Sequence, residues 1–289
     1  MTQPIKKVVV GIAFFILCGN GMAEDGPSPS QADPLTVSLD HYVLHDGPYR
    51  IGEQLANASG LTWNPQSRGL FLINNRPPKI VELALDGSQK RVISLSGFHD
   101  TEGITHIRNS LFAVVEEKRR TICIFEIHRE ATSINRDDAE IIVVDPEPAG
   151  NKGLEGISYD PENKCFYVVK EKGPRKIHRV PWAKETGSPG SMSQPFNIQK
   201  NSLSLKDLSG IYYHPGSNNL LLLSDKSASL VESTVDGKEL SRISLKKSQK
   251  TGLQSSIRQA EGITMDSRGI LYISSEPDLL YIFMKPDGK

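Results

Sequence analysis

Apolar residues in this chain fall into short runs separated by clusters of Gly, Pro, Asn, Asp and Ser, and the arrangement recurs. Five segments open alike: Asn57-Ala-Ser59-Gly60-Leu61, Asp100-Thr-Glu102-Gly103-Ile104, Gly153-Leu-Glu155-Gly156-Ile157, Asp207-Leu-Ser209-Gly210-Ile211 and Gln259-Ala-Glu261-Gly262-Ile263. Their glycines lie 43, 53, 54 and 52 residues apart. Repeats of that length mark stacked β units.

Each opening leads through a short strand to a turn rich in Asn, Asp, Pro and Gly, such as Asn64 to Gly69 or Asp160 to Lys164, residues that favour turns for backbone reasons. A second strand follows: Leu70 to Ile73, Phe112 to Val115, Phe166 to Val169, Leu220 to Leu223 and Leu271 to Ile273. These runs are apolar almost without alternation, as expected of strands covered on both faces. A third strand ends in Asp86-Gly87, Asp236-Gly237 and Asp287-Gly288 in units one, four and five, a strong hairpin signal. Fourth strands are predicted at Arg91 to Leu95, Glu140 to Val144, Pro195 to Ile198 and Arg242 to Leu245.

Four antiparallel strands per unit and five units predict an all-β, five-bladed propeller over residues 35–289. The last unit stops at Lys289, so the segment Leu35 to Ile51 is expected to supply its fourth strand and close the ring. Residues 181 to 205 read as a surface insertion in the third blade.

Ahead of the repeats, Lys6-Lys7, the apolar run Val8 to Cys18 and the small residues Gly21 and Ala23 form a secretory signal over residues 1–23. The run is shorter than the ~20 residues a spanning helix needs, so cleavage is expected, with a retained membrane anchor as the alternative. Residues 24–34 read as a flexible linker. An exported, periplasmic protein follows, in the alternative associated with the inner membrane through its N-terminus. Cys123 and Cys165 sit in apolar strand patterns and read as buried thiols.

Lys plus Arg and Asp plus Glu both number 34, so bulk charge favours neither nucleic acid nor an anionic membrane as a partner. The acidic residues are nevertheless placed unevenly. If each glycine opens an innermost strand, then Ser59, Glu102, Glu155, Ser209 and Glu261 ring one mouth of the central channel. The second strand runs antiparallel to the first, so its end reaches the same mouth and brings Asn75, Glu117, Glu171, Asp225 and Glu276. Carboxylates held that close must protonate, pair with cations or bind a metal. Oxygen donors without thiolate or imidazole suit a hard cation, Ca²⁺ above Mg²⁺. The expected ligands are Glu102, Glu155, Glu261, Glu117, Glu171, Asp225 and Glu276, the inner three foremost. The competing reading pairs the outer set with Lys118, Arg119, Lys170, Lys172 and Lys226.

The Glu-Gly-Ile openings at 102–104, 155–157 and 261–263, with the strand ends Val168-Val-Lys-Glu171 and Ile273-Ser-Ser-Glu276, resemble the SdiA-regulated family from about residue 40 to the C-terminus. The resemblance implies a five-bladed propeller distantly related to NHL repeats, with calcium at a family site and no established activity. The inner Glu-Gly placement is also similar to calcium-dependent lactonase propellers, from which Ser59 and Ser209 depart.

Three functional readings follow. The first is a non-enzymatic, monomeric envelope protein that binds a protein, glycan or small molecule. The second is a calcium-dependent hydrolase of a lactone, ester or phosphoester, with His99 or water accepting the proton. In the third, the carboxylates only tie blades together. The chain has no Gly-x-Ser-x-Gly elbow, P-loop or dinucleotide fingerprint, which sets the enzyme reading second.

Overall fold

A computed structural model of the chain describes residues 36–52, 55, 57–144, 153–188 and 190–286. The expected signal and linker, residues 1–34, lie outside the described residues. Among those described, no helix is long and apolar enough to cross a membrane.

Strand β1 (Val43–Arg50) precedes the first full blade, formed by β2 (Ala58–Asn64), β3 (Gly69–Asn74), β4 (Lys79–Leu83) and β5 (Gln89–Ser96). Blade two contains β6 (Thr101–Arg108), β7 (Leu111–Glu116), β8 (Thr121–Glu126) and β10 (Glu140–Val143). Between β8 and β10, the short β9 (Ser133–Asn135) crosses to blade one and pairs parallel with β5. Blade three contains β11 (Leu154–Asp160), β12 (Cys165–Lys170) and β13 (Lys176–Pro181); blade four, β14 (Gly210–His214), β15 (Asn219–Ser224), β16 (Ser229–Thr234) and β17 (Glu239–Ser244). Blade five contains β18 (Ala260–Met265), β19 (Leu271–Ser275) and β20 (Leu279–Met284). Its fourth strand is β1, antiparallel to β20 with Val43 opposite Met284 and Arg50 opposite Leu279. The expected five-bladed ring, closed by an N-terminal strand, is the observed fold.

The expected fourth strand of blade three is a correction. Pro195 to Ile198 forms no strand, and the outer edge of β13 instead meets a single bridge between Arg179 and Ser193. Phe196 and Ile198 turn inward against Tyr167, Tyr213 and Leu222, so burial of their side chains displaces ladder pairing there. The insertion is therefore more than a surface excursion: Leu203 and Leu205 are also core residues. Among its described residues, α1 (Ala183–Thr186) is a single helical turn.

The first-to-second-strand turns repeat one device. Asn64, Asp160 and Asp266 each accept backbone N–H groups two to four residues on, at 2.8 to 3.4 Å. The side chain thereby replaces the ladder partner the turning backbone has lost. The second strands β3, β12 and β15 are buried at every residue, and five apolar clusters fill the five spaces between neighbouring blades. Cys123 and Cys165 are free thiols inside two of them.

Two features hold the ring. The inner strands touch in the cycle β2, β6, β11, β14, β18 and back to β2, and the repeat glycines are where they meet. A Cβ on Gly60 would lie 2.6 Å from the Glu102 carbonyl oxygen, one on Gly103 2.9 Å from that of Glu155, and one on Gly210 2.9 Å from that of Glu261. Below the mouth, these glycines and Leu61, Ile104, Ile157, Ile211 and Ile263 narrow the channel to about 10 Å³, at most the space of one water. The second feature is Glu232 on β16, fully buried. It accepts the N–H groups of Val37 (2.6 Å) and Ser38 (3.0 Å), together with Asn219 Nδ2 (2.8 Å) and Ser241 Oγ (2.6 Å). The segment entering β1 is thus clipped to blade four before it completes blade five.

Gly60→Ala is expected to lower unfolding stability by about 1–3 kcal/mol, the cost of overpacking against backbone that cannot step aside; denaturant titration measures it. Glu232→Ala strands two main-chain donors and is expected to cost roughly 2–3 kcal/mol, with faster amide exchange in Val43–Arg50 than in the inner strands.

Candidate metal centre at the channel mouth

The inner and outer residue sets meet as antiparallel geometry requires. One cavity of about 220 Å³ at the start of the inner strands is lined by Glu102, Glu155, Glu261 and Ser209 from the inner set and by Asn75, Glu171, Asp225 and Glu276 from the outer set. Asp207 and Lys226 complete its wall. Ser59 and Glu117 stand beside it. The Ser59 hydroxyl donates to Glu102 at 2.8 Å, and Glu117 accepts the Gly153 N–H at 3.2 Å. Carboxylates 15 to 174 residues apart in the sequence therefore share one small volume, because every blade presents the same two strand ends there.

Partners divide the two sets. In the outer set, Glu171 forms ion pairs with Lys172 and Lys226, as the competing reading expected. Asp225 accepts the Gln259 N–H and Glu276 the Gln259 side-chain amide, both at 2.6 Å. Lys118 turns instead to Asp100 and Arg119 to the fully buried Glu116. The inner set is differently placed: Glu102 takes hydrogen bonds from Ser59 and from the Asn75 amide, while the carboxyls of Glu155 and Glu261 form no hydrogen bond or ion pair with any described residue.

The electrostatic result is a group of carboxyls that resist ionisation. Burial, then the charges of Glu117, Glu276 and Asp100, push Glu102 up to about 7 against the Ser59 hydrogen bond. Burial followed by Glu276, Glu102, Asp225 and Asp207 pushes Glu261 up to about 9. Glu155 lies well above the usual carboxylate range, from burial and the neighbouring Glu102, Glu117, Glu261 and Glu171. These side chains face a space that water reaches, yet protein surrounds that space on every other side, so they keep some exposure while losing much of their hydration.

Asp207 is the wall residue that the sequence reading passed over as a candidate. It is buried, accepting from Ser224 Oγ and the Lys226 N–H. Its signal was present: Asp207-Leu-Ser209-Gly210 has the same form as Asp100-Thr-Glu102-Gly103. His99, the candidate base, is exposed and does not line the cavity; its backbone N–H donates to Glu116 at 2.9 Å.

Whether an ion suits this place is a question of donors and spacing. The donors are all oxygens, and the buried Asn75 Oδ1, beside Glu102, has no hydrogen-bond partner. Among the described residues, no three acidic, His or Cys side chains stand close enough to enclose a metal in the present arrangement. The donor set therefore fits a hard cation that retains water, while the carboxyls are spread around the cavity rather than gathered at its centre.

The fold has known counterparts. It is similar to a chain of a nidogen/laminin complex (15% identity, TM-score 0.51, 76% of this chain and 73% of that one). It is also similar to a gluconolactonase from Xanthomonas campestris (15% identity, TM-score 0.50, 85% of this chain and 97% of that one). At such identities the likeness is one of fold. The profile of the SdiA-regulated family, in contrast, matches residues 40–284, which contain the whole ring and both sets of mouth residues; the chain belongs to the SdiA-regulated family.

Proposed function

We propose that this chain is an exported calcium-binding propeller of the cell envelope that acts by binding rather than by catalysis. The observation carrying this reading is the uncompensated inner set: Glu155 and Glu261 face one cavity without a cationic or hydrogen-bonding partner among the described residues. Holding like charges together there is costly, and a divalent cation relieves it more completely than protonation does near neutral pH. Glu102, Glu155 and Glu261 would hold the ion, with Asn75 Oδ1 as a neutral ligand and the outer carboxylates contributing charge or water-mediated contacts. A bound calcium would neutralise the mouth and could polarise an oxygen of whatever enters it.

The binding reading stands ahead of hydrolysis because no base is placed in the cavity besides the carboxylates themselves. Lys226 is the cationic side chain in its wall, and it is committed to Glu171. Export rests on the N-terminal pattern of Lys6-Lys7, an apolar run and Ala23.

For the ion-free protein the sign of the pH effect follows from the raised values. The inner glutamates hold protons in the folded state that they release above the ordinary glutamate value of 4.5 when unfolded. Stability is therefore greatest below 4.5 with respect to these groups, and falls as pH rises through about 7 and about 9. Thermal unfolding in EDTA should show that decline, and calcium at about 100 times its Kd should raise Tm at pH 8 by roughly 5–10 °C. Glu155→Gln should raise the ion-free Tm at pH 8 and lose most of the calcium increment; a carboxylate that merely ties blades would give a lower Tm with the increment retained. Lactone, ester and phosphoester substrates tested on the same calcium-loaded samples should show no turnover above buffer. Turnover abolished in the triple Gln variant of Glu102, Glu155 and Glu261 would replace the binding reading with the hydrolase.

A further inference from the structure

One cavity on the face opposite the acidic mouth has the reverse chemistry. Strands β2 and β18 begin at the mouth and end at Asn64 and Met265, roughly 20 Å away at the usual rise of an extended chain. The turns that follow, with the β4–β5 hairpin, enclose a cavity of about 590 Å³ between blades one and five. This size is within the range of about 300–1,000 Å³ typical of small-molecule sites. Trp63, Pro65 and Leu85 form its apolar wall, and Arg68, Arg268 and Asp266 its polar one.

Its hydrogen-bonding capacity is unbalanced. Asp266 is saturated: Oδ1 accepts the N–H groups of Arg268 and Ile270, and Oδ2 accepts Arg268 Nε, Arg268 Nη2 and the Tyr272 hydroxyl. The donors are not. The exposed Arg68 guanidinium and the Trp63 indole N–H form no hydrogen bond or ion pair with any described residue, while Arg268, its charge paired with Asp266, keeps only Nη1 for a further acceptor. Arg68 sits at φ 47°, as Lys164 of blade three does at φ 50°, where the corresponding turns of blades two, four and five have Asn109, Asn218 and Gly269, residues that take this conformation more easily. The Trp63 backbone N–H donates to Thr264 Oγ1 of blade five at 3.0 Å, which anchors the residue carrying the indole across the blade seam.

The larger cleft between blades one and two, about 690 Å³, shows the contrast. Its Arg91 donates to Glu82 at 2.6 Å and to the carbonyls of His128, Arg129 and Ala131, so its charge is already spent within the fold.

We propose that the cavity between blades one and five binds a carboxylate carried on a ring, the ring stacking on Trp63 and the carboxylate held by Arg68 with Arg268. Surplus donors select an anion, and the planar guanidinium matches a carboxylate in two-point contact. The indole and its apolar neighbours select a body with a flat or C–H-lined face. A sugar acid and an aromatic acid share this chemistry. The site goes beyond the calcium reading and does not depend on it, since none of its residues lines the acidic mouth.

The test uses the full chain with sodium glucuronate, sodium benzoate and uncharged glucose, followed by calorimetry and tryptophan fluorescence. Of the two tryptophans, Trp182 is buried at 1% exposure, so a fluorescence response reports Trp63. Saturable binding of glucuronate or benzoate at about 1 mM is expected, with glucose inert. Whichever acid binds identifies the sugar or the aromatic source. Arg68→Ala should weaken binding by about tenfold or more, and Trp63→Ala should weaken it in calorimetry. Glu155→Gln and prior calcium removal should leave it unchanged, so failure of the ion site would not be mistaken for failure here. Absence of binding by both acids, equal binding of glucose, undiminished binding by Arg68→Ala, or loss on calcium removal would each overturn the proposal.

Discussion

Five inner strands converge on the axis of this molecule, and the space left for them is smaller than a side chain. Main chain packs on main chain where Gly60, Gly103, Gly156, Gly210 and Gly262 meet, the next blade's glutamate or serine carbonyl leaving no room for a Cβ on four of them and the Gly210 Cα and Ile211 N crowding it on Gly156. That close approach sets the radius of the ring, and the radius sets everything else. It reduces the channel below the mouth to a space no larger than a water molecule. It also fixes the residue preceding each glycine at the rim of a closed-bottomed cavity, so the acidic mouth is a direct product of the backbone contact.

The same geometry explains why the inner carboxyls are poorly solvated without being inaccessible. A wider ring would hydrate each glutamate separately, and a tighter one would exclude water and force pairing with cations. At the observed size, about 220 Å³ serves ten polar side chains. The outer carboxylates find lysines or amides at the blade rims, where chain ends and turns bring long side chains. In the inner set Glu102 is held by an amide and a hydroxyl, while Glu155 and Glu261 have no hydrogen-bond or ion-pair partner among the described residues. Their placement there leaves a demand for positive charge that the fold itself does not meet. At the far ends of β2 and β18, one cavity shows the opposite imbalance, with the Arg68 guanidinium and the Trp63 indole N–H unpartnered among the described residues.

Ring closure is a separate matter from ring size. Because β1 belongs to blade five and precedes blade one in the sequence, blade five has a complete sheet only when the N-terminal segment is in place. Glu232 makes that placement specific by satisfying two main-chain donors with a carboxylate that also holds Asn219 and Ser241. Blade three tolerates the lack of a regular fourth strand because the insertion covers it with Phe196, Ile198, Leu203 and Leu205. The core requirement of a blade is thus the filling of the space beside it, and the hydrogen-bonded edge is secondary.

Local pattern and period were sufficient for the blade count, the order of the repeated strands, the closure of blade five by a strand from the segment before the repeats, observed at Val43–Arg50, and the gathering of Glu102, Glu155, Glu261, Glu171, Asp225 and Glu276 at one mouth. All of these follow from two short-range rules, alternating strand direction and a repeated glycine, applied five times. Pro195 to Ile198 could not be judged the same way. Its apolar residues suit a strand or a plug equally, and only the neighbouring core decides between them. The parallel β9, the Glu232 clip, the wall position of Asp207 and the divided fates of the inner and outer carboxylates also came from tertiary structure alone. Each depends on which groups become neighbours across blades, and how far burial shifts a charge depends on that neighbourhood rather than on the residue's place in the chain.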